Sequence, residues 1–125
     1  MKNADSIQAE VVVEAANAPT TPEAHDRLHG RGVTVIPDIL ANAGGVTVSY
    51  FEWTQNIQQF NWELERVNRE LELVMRRAYA KVAELAQETG LDLRTAAFVL
   101  AIKRVARAAA SRQNVGHLLP RGLLD

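Results

Sequence analysis

The sequence has 125 residues, of which 47% are hydrophobic and 23% are charged, and its formal net charge is −1. A chain of this length is expected to form one soluble domain with its own core and is too short for two ordinary domains. The near-neutral charge offers no long-range field to attract nucleic acid, and no apolar run approaches the roughly 20 residues that span a membrane. Cysteine is absent, which excludes disulfides and thiolate chemistry and favours a cytoplasmic location.

The first 45 residues have the pattern of a βαβ unit. Val11–Val13 is a short β-branched run without alternation, as expected of a strand buried on both faces, and Val33–Ile36 is a second such run. Between them, Thr21 followed by Pro22 is typical of a helix N-terminus, and Gly30 is typical of a helix exit. This order and spacing predict two parallel strands. Because such strands need neighbours and helices on both faces, the pattern also indicates that part of the sheet is missing on the N-terminal side.

From residue 46 onward, the spacing of apolar residues predicts three helices. The first covers residues 46 to 59, the second starts near Leu64 and stops at Gly90, and the third is capped by Asp92 and extends to about residue 112. The residues of the third helix expected to face inward are Leu93, Ala97, Leu100, Val105 and Ala109. The last residues, 114–125, have no period and are expected to fray. The predicted organisation is therefore a βαβ portion (1–45), a helical segment (46–113) and a tail (114–125).

Two loops at the ends of the predicted strands carry the residues most suited to binding a ligand. In an open parallel sheet, ligands bind beyond the carboxyl ends of the strands. After the second strand, Asn42 supplies an amide donor and an acceptor, and Gly44 and Gly45 let a ligand approach the backbone at a helix start. Asn17 occupies the equivalent position after the first strand. On pattern alone, an ordinary turn with a helix cap is the simpler interpretation of both loops.

Two longer segments resemble a known family. Residues 14–24 and residues 35–53 resemble, in this order, the strand-end motifs of the glutamate/leucine/phenylalanine/valine dehydrogenase family, and the second is similar to its glutamate dehydrogenase branch. The similarity continues through Asp92 and Arg94 to residues 101–106. It implies an α/β fold in which the last parallel strands of a partial Rossmann-like dinucleotide-binding domain are followed by long C-terminal helices.

The resemblance also implies a function. The chain is expected to be the C-terminal segment of an oxidoreductase that converts glutamate and water, with NAD or NADP, to 2-oxoglutarate and ammonium. Asn17 and Asn42 match asparagines that line the nicotinamide end of the cofactor site, and Val46 and Ser49 match residues that contact the substrate. Ala15 stands where the family usually has glycine, and its methyl group is expected to crowd the cofactor near Asn17.

Parts of the implied enzyme have no counterpart in the sequence. The family's catalytic lysine and aspartate lie in an N-terminal substrate domain, so no catalytic residue is expected here and the isolated chain is expected to be inactive. A G-x-G-x-x-G fingerprint is absent, since residues 30–32 precede a strand instead of following one. The expected partners are the substrate domain and the first half of the dinucleotide domain, assembled as a homo-oligomer. A different class of function stays open, namely a stand-alone helical protein-interaction module derived from the enzyme.

Two further patterns are interpreted as structural. His25 and His29 have the spacing of a metal-binding pair on a helix, but no third ligand accompanies them, so a solvated helix face and no metal site are expected. A basic run on the third helix is expected to face solvent or another subunit and not nucleic acid. Its members are Lys103, Arg104, Arg107 and Arg112.

Overall fold

Two short parallel strands and five α-helices make up residues 3–113, the part of the chain that the computed structural model describes. After a single 3-10 turn at Ala4–Ser6, the elements in chain order are β1 (Val11–Val13), α1 (Pro22–Gly30), β2 (Thr34–Ile36), α2 (Asp38–Ala41), α3 (Ala43–Gln58), α4 (Leu64–Thr89) and α5 (Leu93–Gln113). The predicted fraying tail, residues 114–125, lies outside the described residues. No helix within residues 3–113 is long and apolar enough to cross a membrane.

The βαβ unit forms as the sequence predicts. The two strands are parallel, with Val12 opposite Val35. Helix α1 begins with Pro22, and the Thr21 hydroxyl accepts a hydrogen bond from the backbone N–H of Ala24 at 3.3 Å. This bond satisfies one of the donors that every helix start leaves unpaired.

Strand β1 is covered on one face only. Val12 packs toward a small core formed by Leu28 and Val35, whereas Val11 and Val13 on the other face are 53% and 61% exposed. The expectation of burial on both faces is therefore wrong for this chain. The reason is that α1 covers one side of a sheet that has only two strands within the described residues.

Helices α4 and α5 form the larger core with α2. Its buried members are Leu40, Val82, Ala96 and Ala97. Gly90 ends α4 with φ +70°, as predicted, and α5 follows at Leu93. Val105, expected inside, is 69% exposed. It lies five positions after Leu100, and at 3.6 residues per turn this step rotates it about 140° away from the buried stripe. Ala109, one turn further along the same face, is exposed for the same reason.

Helix α3 starts earlier than expected, and one of its faces is an apolar stripe exposed to solvent. It begins at Ala43, and the short helix α2 occupies much of the segment that was expected to be a loop. Phe51 is buried against Trp62, with ring centroids 5.5 Å apart. The opposite side carries apolar residues that are between 57% and 70% exposed: Val46, Tyr50, Trp53 and Ile57.

Candidate functional site

The carboxyl ends of β1 and β2 bring the two predicted asparagines into contact. The side-chain amide of Asn42 donates a hydrogen bond to the side-chain carbonyl of Asn17 at 2.7 Å, across 25 residues of sequence. Asn17 is exposed and Asn42 is half-buried. Since parallel strands end at the same edge of a sheet, the two loops meet where α/β proteins bind ligands.

The other two predicted residues continue from this pair along α3. Asn42 has helical backbone angles, φ −82° and ψ −7°, so Val46 and Ser49 follow it on one helix face at spacings of four and three. Both are exposed, Val46 by 70%. The Ser49 hydroxyl donates to the Gly45 carbonyl at 3.2 Å. This distance is longer than that of a typical O–H···O bond, so the bond is weak.

A charged network, which the sequence analysis missed, joins the same two loops. Arg94, at the start of α5, donates from Nη2 to both carboxylate oxygens of Glu14 at 2.5 and 2.6 Å, and from Nη1 to Asp38 at 3.4 Å. The Glu14 side chain is 1% exposed, and those of Asp38 and Arg94 are 17% and 19% exposed. We call these three residues the Arg94 network. A partly buried guanidinium with two carboxylates is a specific arrangement, because an unpaired member would be costly.

The two carboxylates of the Arg94 network also bind backbone groups in the neighbouring loops. Asp38 accepts a hydrogen bond from the N–H of Ala18 at 2.7 Å, and Glu14 accepts one from the N–H of Asp38 at 3.0 Å. Each loop therefore holds the other. The sequence signal that could have indicated this network is Glu14, a carboxylate directly after an apolar strand. Arg94 entered the sequence analysis only through the family resemblance.

Both carboxylates of the Arg94 network have lowered pKa values. Burial works to raise the pKa of Glu14, but hydrogen bonds from Thr20 and Arg94 outweigh it and bring the pKa below its usual 4.5. For Asp38, the hydrogen bond from Ala18 is the largest cause of a pKa below the usual 3.8. Both groups are therefore ionised at neutral pH and remain strong acceptors.

His25 belongs to this region and not to a solvated face. It is 8% exposed, its Nε2 lies 3.1 Å from Asp92, and its Nδ1 accepts from Arg94 at 3.4 Å. The expectation of a solvated histidine was wrong because α1 contacts the start of α5, which the spacing on α1 cannot show. His29 is exposed. Among the residues that the structure describes, no group of three or more His, Cys, Asp or Glu side chains is arranged to hold a metal ion.

The parallel strands, the helices that follow them and the polar edge of the sheet are those of the Rossmann-like α/β class, and solved structures share this fold. The chain matches the glutamate dehydrogenase of Peptoniphilus asaccharolyticus with a TM-score of 0.83 and 42% identity, over 90% of this chain and 28% of that one. It matches the hetero-hexameric glutamate dehydrogenase of Thermus thermophilus (Leu bound form) with a TM-score of 0.85 and 38% identity, over 95% of this chain and 28% of that one.

Sequence comparison places the chain in a family. The profile of the Glutamate/Leucine/Phenylalanine/Valine dehydrogenase family matches residues 1–113, and the chain belongs to this family. It is 54% identical over 110 residues to the glutamate dehydrogenase of Thermotoga maritima, covering 88% of this chain and 26% of the relative. It is 57% identical over 106 residues to NADP-specific glutamate dehydrogenase A1 of Halobacterium salinarum, covering 84% and 25%. The chain thus spans about a quarter of the length of the curated relatives it matches.

Proposed function

We propose that this chain is the C-terminal segment of a glutamate dehydrogenase, which oxidises glutamate to 2-oxoglutarate and ammonium with NAD or NADP. Residues 1–45 would then be the last βαβ portion of the dinucleotide-binding domain and residues 46–113 the C-terminal helical segment. The observation that carries the proposal is the contact between Asn17 and Asn42 at the ligand-binding edge of the sheet. Membership of the dehydrogenase family supports it.

In this proposal, Asn17 and Asn42 hold the nicotinamide end of the dinucleotide. Their mutual bond uses the Asn42 amide and the Asn17 carbonyl, so it leaves the amide of Asn17 and the carbonyl of Asn42 for a ligand. A primary carboxamide, with one NH2 donor and one carbonyl acceptor, matches this remaining pair. When bound, the dinucleotide accepts the hydride from the substrate carbon. Relatives named NADP-specific in Halobacterium salinarum and NAD-specific in Staphylococcus aureus support either dinucleotide.

Val46 and Ser49 contact the substrate in this proposal. The exposed Val46 side chain offers an apolar surface for the methylene groups of glutamate. The Ser49 hydroxyl, which donates to the Gly45 carbonyl at 3.2 Å, would instead donate to a carboxylate of the substrate. Such a donor is needed because a carboxylate that leaves water without hydrogen-bond partners is strongly destabilised.

The isolated chain is expected to contribute contacts that bind and orient the dinucleotide and the substrate, but not to catalyse the reaction. Neither an asparagine amide nor a serine hydroxyl acts as a base at neutral pH, and oxidative deamination needs proton transfer at the amine and at water. The remaining domains of the dehydrogenase are the proposed partners. They would cover the exposed face of β1 and the adjoining groove of about 630 Å³ between Val13, Leu40 and Tyr79. The intact enzyme is proposed to be a cytoplasmic homo-oligomer.

A hybrid enzyme tests this proposal. Residues 1–113 would replace the matching segment of the Thermotoga maritima enzyme, to which this chain is 54% identical. The hybrid is expected to fold and to reduce dinucleotide in the presence of glutamate. In it, Asn42→Ala is expected to raise the KM for the dinucleotide, and Ser49→Ala to raise the KM for glutamate, each by about tenfold, the usual cost of one hydrogen bond to a polar ligand.

Matched controls separate site effects from general damage. Asn56→Ala removes an exposed asparagine further along α3, and Ser111→Ala removes a hydroxyl that bonds the backbone of its own helix at 2.9 Å. Both are expected to leave the two KM values unchanged. A folded hybrid without glutamate-dependent activity, or robust glutamate oxidation by the isolated chain, would contradict the proposal.

A further inference from the structure

The loop that carries Asn17 is held in an unfavourable backbone conformation by a side chain from the other loop. Ala18, the next residue, has φ +45°, in the left-handed region that residues with a Cβ rarely adopt. Its N–H donates to the Asp38 carboxylate at 2.7 Å. Strained residues of this kind persist only where the surroundings fix them, and they cluster at binding sites. The Asp38 carboxylate is the group that fixes this one.

Asp38 is itself fixed from two directions. Its Oδ1 accepts from the backbone N–H of Ile39 at 2.8 Å and faces Arg94 at 3.4 Å. Its own N–H donates to Glu14, whose carboxylate is held on both oxygens by Arg94. Arg94 comes from α5, 56 residues after Asp38 and 80 after Glu14. A helix remote in sequence therefore sets the relative position of the two loops.

We propose that Asp38 and Arg94 are positioning residues, which hold Asn17 and Asn42 at the separation that a carboxamide ligand requires. The inference rests on the proposed function, since it takes the two asparagines to be the binding groups. Neither Asp38 nor Arg94 touches the ligand in this scheme; Asp38 acts through Ala18 on Asn17, and Arg94 acts through Asp38 and Glu14.

A carboxylate at position 38 is required by the hydrogen-bond pattern. Oδ2 accepts from Ala18 while Oδ1 accepts from Ile39 and Arg94, so both oxygens serve as acceptors. An asparagine has the same shape but only one acceptor oxygen. In Asp38→Asn, an NH2 group must therefore face a donor, either the N–H of Ala18 or the N–H of Ile39. The variant therefore loses either the bond to Ala18 or the bonds by which Ile39 and Arg94 hold Asp38 in place, and it preserves the packing.

The test uses the hybrid enzyme and Asp38→Asn. The KM for the dinucleotide is expected to rise about tenfold or more, the effect of losing a hydrogen bond to a charged group or of a small misplacement at a binding site. The matched control is Asp5→Asn, which removes a carboxylate paired with Arg27 on the surface, where the two side chains are 68% and 49% exposed. It is expected to leave the KM unchanged. If Asp38→Asn lowers only the melting temperature and leaves the KM unchanged, the proposal is wrong.

A double-mutant cycle separates positioning from general stabilisation. If Asp38 acts through Asn17, Asp38→Asn should have little further effect on the KM once Asn17→Ala is present. Independent, additive effects would overturn the proposal. The proposed function fails in a distinguishable way: Asn17→Ala and Asn42→Ala would then leave the KM unchanged on their own.

A spectroscopic measurement on the full 125-residue chain gives a readout that does not depend on activity. The side-chain amide protons of Asn42, assigned by comparison with Asn42→Ala, report the hydrogen bond to Asn17. Asp38→Asn is expected to shift these resonances and speed their exchange with solvent, and Asp5→Asn is not. Unchanged Asn42 amide resonances in Asp38→Asn would overturn the positioning role whatever the hybrid enzyme does.

Discussion

Asp92 stabilises the start of α5 in two ways that can be measured separately. Its Oδ1 accepts from the backbone N–H groups of Arg94 and Thr95 at 2.9 and 3.1 Å, which is a helix N-cap, and the same oxygen lies 3.1 Å from His25. Asp92→Ala removes both the cap and the partner of His25. Asp92→Asn keeps an acceptor for the cap but removes the negative charge.

The expected magnitude follows from these contacts. Loss of a cap costs about 1 kcal/mol, and loss of a hydrogen bond that involves a charged group costs about 1.5 kcal/mol or more. Asp92→Ala should therefore lower the free energy of unfolding by about 2 to 3 kcal/mol, and Asp92→Asn by about half of that. The pKa of Asp92 supports this scale: burial works to raise it, but the hydrogen bonds from Thr95 and His25 outweigh burial and lower it from 3.8 to about 2. A shift of this size corresponds to about 2 kcal/mol.

The assay is equilibrium urea unfolding of the 125-residue chain, followed by far-UV circular dichroism at two protein concentrations so that self-association is detected. Asp26→Asn, which changes an exposed aspartate on α1, is the control and should cost less than about 0.5 kcal/mol. Since the folded pKa of Asp92 is depressed, its contribution is present above about pH 4 and is lost as the pH falls toward 2. Equal stabilities of Asp92→Ala and the wild type at neutral pH, or no loss of the difference in acid, would refute the reasoning.

Two further measurements test the helical part. Trp53 is 57% exposed, whereas the indole nitrogen of Trp62 is buried beside Phe51. Trp53→Phe leaves Trp62 as the emitter, so its fluorescence should be blue-shifted and poorly quenched by acrylamide. Trp62→Phe leaves the exposed Trp53, so its fluorescence should be red-shifted and strongly quenched. Gly90 ends α4 with φ +70°, so Gly90→Ala should lower the free energy of unfolding by about 1 kcal/mol, as measured by urea unfolding; an unchanged midpoint would contradict the observed turn.

Local signals in the sequence predicted the elements correctly where a few adjacent residues decide the outcome. Thr21 before Pro22 starts α1, Gly90 ends α4 and Asp92 caps α5, each because neighbouring backbone groups need a partner or a left-handed residue. The error at Val105 also came from a local pattern, the spacing of apolar residues along α5. The prediction continued an apolar stripe past a five-residue gap, although helix geometry had already turned that face away from the core.

In the candidate site, too, some contacts could be predicted from the sequence and others could not. Contact between Asn17 and Asn42 was predictable, because parallel strands must end at one edge and each asparagine follows a strand. The Arg94 network was not, because its bonds join residues 56 and 80 positions apart and no period or motif relates them. The burial of His25 was missed for the same reason, since its partner Asp92 lies 67 residues further along the chain.

The exposed apolar faces favour a segment of a larger enzyme over a stand-alone module. A free-standing protein of this size would be expected to cover Val11 and Val13 or to replace them with polar residues, because an uncovered strand face and edge invite association. Both valines are more than half exposed, as is the stripe from Val46 to Ile57 on α3. These surfaces have the composition of a protein interior, and they lie beside the asparagine-bearing edge of the sheet and along the proposed substrate helix. Under the proposed function, the domains that complete the catalytic cleft would also bury these faces.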